Sequence, residues 1–142
     1  MFVEFTIPGP PQGKGRPRFS VVRGHIHTRT PDDTVLYENL VRVMYREQVG
    51  VKRLDGAIKA EITGYFPVPK SWSKRKQAAA VSGELEHTSK CDADNLAKVI
   101  LDSLNELAFK DDAQVSRLEV RKRYGEEPRV EVRLEEIKNE QQ

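Results

Sequence analysis

Cys91 is the chain's single cysteine, which excludes an internal disulfide and a multi-cysteine zinc site. The three histidines, His25, His27 and His87, are too scattered to form a recognisable zinc motif. No apolar run approaches the roughly 18 residues that a spanning helix needs. The start, Met1-Phe2-Val3-Glu4-Phe5, has no basic stretch followed by an apolar one, so neither a signal peptide nor a membrane association is expected, and a cytoplasmic location is. Internal repeats and long linkers are missing too. A formal net charge of +2 over 142 residues does not by itself announce a nucleic-acid binder.

What the chain does have is charge in quantity, 32% of its residues, unevenly placed. Between Gly9 and Arg29 stand Lys14, Arg16, Arg18, Arg23 and Arg29, with no acidic residue among them. Acidic residues gather later, partly in one short region. A basic segment beside an acidic cluster suits a protein that binds phosphates and also holds cations. The bland alternative is a solvated basic loop.

Hydrophobic periodicity gives the elements. Phe2 to Ile7 alternates as a strand and runs into a loop from Pro8 to Arg18, whose glycines and prolines exclude a helix. Phe19 to Thr28 fits a hairpin around Arg23-Gly24. Asp32 or Asp33 is expected to cap a helix to about Gln48, with Leu36, Leu40, Val43 and Met44 on one side. Ala57 to Phe66 reads as a strand with Ile58, Ala60, Ile62, Gly64 and Phe66 on one face, stopped by Pro67-Val68-Pro69. Ser71 to Val81 reads as a short basic helix capped by Ser71 or Ser73. Gly83 to Cys91 reads as a polar, mobile loop. Asp94 to Ala108 is the strongest helix, with Leu96, Val99, Ile100, Leu104 and Leu107 toward the core. Leu118, Val120 and Tyr124, then Val130, Val132 and Leu134, mark two strands expected to pair as an antiparallel hairpin. Asn139 to Gln142 is expected to fray. The order predicts one α+β domain over residues 1–142, a mixed sheet packed against helices.

Chemistry concentrates in Asp92-Ala93-Asp94-Asn95-Leu96-Ala97-Lys98, then Asp102, then Lys110-Asp111-Asp112. In an extended entry segment, residues two apart point to one side, so the Asp92 and Asp94 carboxylates can meet at one cation. Lys98, four residues beyond Asp94, shares its flank of the helix. A helix-to-strand return can bring Asp111 or Asp112 to the first pair. Crowded carboxylates repel unless a cation neutralises them, and hard oxygen donors favour Mg2+, Mn2+ or Ca2+. Phosphodiester hydrolysis uses such an ion. Spacing alone leaves a second reading open. Asp before a helix is also a cap, Lys98 a surface lysine, and Asp102 its i,i+4 partner. Cys91 without a placed base is incidental. Gly13-Lys14-Gly15 is not a phosphate-binding P-loop, because no Gly-Lys-Ser/Thr opens a helix there.

With these residues the sequence resembles the RusA family of Holliday junction resolvases, in the branch of Gram-positive bacteria and their phages. Three segments carry the likeness: Pro8-Gly9-Pro10-Pro11 after the first strand, Asp92-Ala93-Asp94-Asn95-Leu96 with Lys98 and Leu101-Asp102-Ser103-Leu104-Asn105, and Asp111-Asp112-Ala113-Gln114-Val115. The resemblance implies Mg2+, with Mn2+ as substitute, held by Asp92, Asp94 and Asp112, and an essential Lys98. It implies Asp111 and Asn95 behind the ligands, with Asn95 orienting Asp92 or a water. Lys14, Arg16 and Arg18 are expected on the DNA backbone. A homodimer is expected to cut a four-way junction symmetrically. Two other functions fit the same residues: a non-catalytic branched-DNA binder, and a flap or branch nuclease without strict junction preference.

Overall fold

The computed structural model describes residues 1–29 and 31–138, with the side chains of Arg18 and Arg29 left out. The expected fraying of Asn139 to Gln142 lies outside them. Chain order is β1 (Phe2–Pro8), β2 (Arg18–Val22), β3 (His25–Arg29), α1 (Asp32–Gln48), β4 (Ile58–Phe66), α2 (Lys74–Ser82), α3 (Ala93–Leu104), a 3-10 turn (Asp112–Gln114), β5 (Val115–Tyr124) and β6 (Arg129–Glu136). Four strands form a mixed sheet in the order β1-β6-β4-β5, and β2 and β3 pair separately. The expected α+β architecture is the one found.

The last two strands do not form the expected hairpin. β5 pairs in parallel with β4, and β6 runs antiparallel between β4 and β1. Residues 125–128 therefore step across the end of β4, where the Gly125 N–H donates to the Phe66 carbonyl at 3.0 Å. Burial explains the choice. Val130, Val132 and Leu134 are almost wholly buried and take a central strand. In β5, Leu118 is half exposed and Arg117, Arg121, Lys122 and Arg123 are charged, a composition suited to an edge.

One face of the sheet carries Val3, Phe5, Ile7, Ile58, Ala60, Ile62, Val130, Val132 and Leu134 into a core roofed by α1 and α3. Burying each large aliphatic side chain contributes roughly 1.5–3 kcal/mol. The buried stripe of α1 is Thr34, Tyr37, Val41 and Tyr45, not the expected aliphatic one. Leu36 and Val43 face solvent, and Leu40 and Met44 flank the core. The aliphatic residues misled because both tyrosines are core residues, Tyr45 bonding through its hydroxyl to the Lys52 carbonyl. Neither Asp32 nor Asp33 caps this helix. Both lie in its first turn, after Pro31 at the cap position.

Other elements match the sequence reading. Arg23 and Gly24, both at positive φ, turn β2 into β3. Ser73 caps α2, accepting a hydrogen bond from the Lys76 N–H. α3 is shorter than expected. It stops at Leu104, because Asn105 is extended and Glu106 adopts φ 64°. The chain beyond folds back, burying Ala108 and Phe109, and the Leu54 N–H donates to the Ala108 carbonyl at 2.7 Å. Among the described residues no helix is long and apolar enough to cross a membrane.

Candidate active site

The best amphipathic helix carries Asp94, Asn95 and Lys98 and has Asp92 at its N-cap. Leu96, Val99, Ile100 and Leu104 are fully buried, which fixes α3 and its termini against the sheet. Asp92 occupies the N-cap position with an extended backbone, and its carbonyl accepts the Leu96 N–H at 3.0 Å. Its side chain makes no capping hydrogen bond. Asp94 lies in the first turn, so the extended spacing assumed for the pair ends at Asp92. Both residues are exposed, and among the described residues neither forms an ion pair. Lys98 is exposed one turn further on, without an ion pair to Asp102.

Beyond the helix the two adjacent acids differ. Asp111 is the cap of the 3-10 turn: its carboxylate accepts from the Ala113 N–H at 2.9 Å, and Gln114 closes the capping box. That N–H holds the Asp111 carboxyl below its ordinary range, helped by a hydrogen bond from Asp112. Asp112 is anchored by its backbone, whose N–H donates to Asn105 Oδ1 at 2.8 Å. Its carboxyl is pushed up by burial and by the neighbouring Asp111 and Asp102 carboxyls.

Asp102, expected to pair with Lys98, belongs to another network. Lys14 Nζ lies 3.0 Å from Asp102 Oδ2 and 3.0 Å from Glu38 Oε2. Burial opposes the Lys14 charge, but its bonds to Asp102 and Glu38 outweigh that and hold its pKa above the ordinary value. Lys14, expected on DNA, is thus engaged inside the protein. Arg16 in the same loop is exposed, and the Arg18 side chain lies outside the described residues. Cys91 is half-buried and burial pushes its thiol up, which leaves it a poor nucleophile at neutral pH.

The acidic residues therefore form two groups, Asp92 with Asp94 at the start of α3, and Asp102 with Asp111 and Asp112 near its end. Among the described residues, no three His, Cys, Asp or Glu side chains are gathered closely enough to hold an ion. The donor chemistry nonetheless fits a hard divalent cation: carboxylates only, the first pair uncapped and Asp112 crowded by like charge.

The profile of the endodeoxyribonuclease RusA family matches residues 8–135. The chain belongs to that family. It is also similar to the uncharacterized protein YqaN of Bacillus subtilis (strain 168), 39% identical over 137 residues, which cover 95% of this chain and 96% of that protein. Membership in the RusA family carries endodeoxyribonuclease activity on branched DNA at the level of the family. Sequence reasoning missed two contacts around these residues, the Lys14–Glu38–Asp102 network and the hold of Asn105 on Asp112. The glycines flanking Lys14 were the available signal for the first, since they allow close backbone approach.

Proposed function

We propose that the protein resolves four-way DNA junctions by divalent-metal-dependent hydrolysis, with two copies cutting opposed strands. The observation that carries this reading is that the Asp92 side chain, at the mouth of α3, is not spent on capping. Asp92, Asp94 and Asp112 are the residues that would hold Mg2+, with Mn2+ as substitute; a bound ion supplies Lewis acidity and activates water. Lys98, exposed on the same helix, is suited to stabilise charge on the phosphate during attack. The bond to the 3'-oxygen breaks, and the product strand carries a 5'-phosphate. Asn95, next to Asp94 in the first turn of α3, is suited to orient Asp92 or a water. Asp111 supports Asp112 from the capping turn. Arg16 and Arg18 contact the DNA backbone, and such contacts weaken as salt rises. A dimer places two sites across one junction.

The test is cleavage of a four-way junction with and without Mg2+, beside three-way junctions and plain duplex. Wild type is expected to cut the four-way junction in paired, Mg2+-dependent fashion. An Asp94→Ala variant that keeps Mg2+-dependent cleavage overturns the assignment.

A further inference from the structure

The segment Gly13-Lys14-Gly15 is a strap laid across the two helices. At its first glycine the backbone passes so close to α3 that an added Cβ would lie 3.0 Å from Asn95 Cβ and 3.1 Å from Cys91 Cβ. At its second, a Cβ would lie 2.6 Å from Thr34 Oγ1 and 3.0 Å from Pro31 Cγ. The Gly15 N–H donates to Thr34 Oγ1 at 3.0 Å, at the start of α1. Glycine is required here by space, not by φ, which is why the Gly-x-Gly pattern exists without a phosphate-binding loop.

From this strap Lys14 bonds to both ends of α3. Its backbone N–H donates to the Asn95 carbonyl at 3.1 Å, next to Asp94. Its ammonium reaches along α3 to Asp102, whose carboxyl in turn lies within hydrogen-bonding reach of Asp112. Glu38 of α1 holds the ammonium from the other side. The Lys14 side chain is about three-quarters shielded from solvent, with an exposure of 23%. A lysine meant to meet DNA has no use for two carboxylate partners.

We propose that Lys14 is a positioning residue for the carboxylate site, setting the first turn of α3 and the Asp102–Asp112 pair relative to each other through its N–H on Asn95 and its ammonium on Asp102. The inference rests on the metal-dependent reading given under Proposed function. It separates Lys14 from Arg16 and Arg18: the lysine acts on the protein, the arginines on the substrate.

The sign of one effect makes this decidable. Removing a positive charge near carboxylates would, by Coulomb attraction alone, tighten cation binding. Loss of positioning would weaken it. Binding of Mn2+ and Mg2+ to the full chain without DNA, followed by calorimetry, should therefore weaken about tenfold in Lys14→Met, the size typical of losing a group that orients a ligand. The Mg2+ needed for half-maximal junction cleavage should rise by a similar factor. Lys14→Arg, which keeps the charge and the reach, should recover most of both. Cation binding in Lys14→Met that equals or exceeds wild type overturns the proposal, as does failure of Lys14→Arg to recover any function while its thermal stability matches wild type. A wild type that binds neither ion overturns the metal-dependent reading and this proposal together, whereas normal ion binding by wild type and Lys14→Met alike overturns this proposal alone.

Discussion

The open face of the sheet and the acidic ends of α3 are both densely charged, yet they manage charge in opposite ways. On the sheet face the signs alternate. Arg133 meets Glu4, Glu61 and Glu135 and lies over the Phe2 ring. Arg129 pairs with Glu131 and covers Tyr65, Lys59 pairs with Glu61, and Arg121 with Glu119. A cleft of about 520 Å3 lies on this face, yet its charges are already answered by neighbours. Around α3, by contrast, Asp112 is crowded by two further carboxyls, and among the described residues Asp92 and Asp94 form no ion pair. A surface that neutralises itself has little left to offer a ligand. A surface that concentrates one sign is destabilised until something of the other sign arrives. Charge balance, rather than cleft size, therefore points to the site.

The largest expected effect separates the two adjacent acids. Asp112→Asn should reduce Mg2+-dependent junction cleavage by on the order of a hundredfold or more, as loss of a group that supports the transition state does. Asp111→Ala should leave most of the cleavage and instead lower the melting temperature, because the 3-10 turn loses its capping carboxylate. Cleavage rates and thermal melts of the two variants check both. Equal loss of cleavage would erase the distinction between a capping carboxylate and a crowded one. A second experiment tests the crowding directly. Mg2+ at a hundred times its Kd should stabilise wild type by about 2.7 kcal/mol, as binding to the folded state alone requires. Asp94→Ala should show little of that gain in thermal melts.

The same contrast explains what was legible in the sequence. Strict alternation gave β4 and β6, because each has one face wholly in the core. The helical period gave α3, though not its end, which depends on Asn105 turning back to hold Asp112. Strand pairing was not legible. Local spacing favoured a β5–β6 hairpin, and only the competition for a central place in the sheet puts β6 next to β4. The buried face of α1 was misread because tyrosine rings fill this core, Tyr45 with its hydroxyl bonded to the Lys52 carbonyl. In the site, the acids stand out as a motif, since each is close in sequence to the next. The contact of Lys14 with Glu38 and Asp102 joins residues far apart in the chain, and no local pattern encodes such a contact.

A smaller effect tests the other side of the comparison. Arg133→Met removes the most connected cation of the sheet face, yet it should leave junction cleavage unchanged. The loss of stability should be small, because partly exposed ion pairs are screened by water. Denaturant unfolding and the junction assay read the two quantities. Cleavage that falls with this variant would mean that the sheet face takes part in binding DNA after all.

The smallest effect concerns a cation crowded by a cation, the mirror image of Asp112. His87 stacks on Phe66 with ring centroids 3.8 Å apart, and Lys122, which donates to the Ser89 carbonyl, lies nearby. Burial, and then the Lys122 charge, lower the His87 pKa from its ordinary 6.5. The sign follows from linkage. Above pH 6.5 the imidazole is neutral in both folded and unfolded chains, so His87 adds no pH dependence there. Below it, the unfolded chain takes up a proton that the folded chain refuses, and stability falls until the folded pKa is passed. Lowering the pH from 7 to 5 should therefore reduce the melting temperature of wild type more than that of His87→Gln. Parallel pH profiles for the two proteins would show that neither burial nor the Lys122 charge holds His87 below its ordinary range.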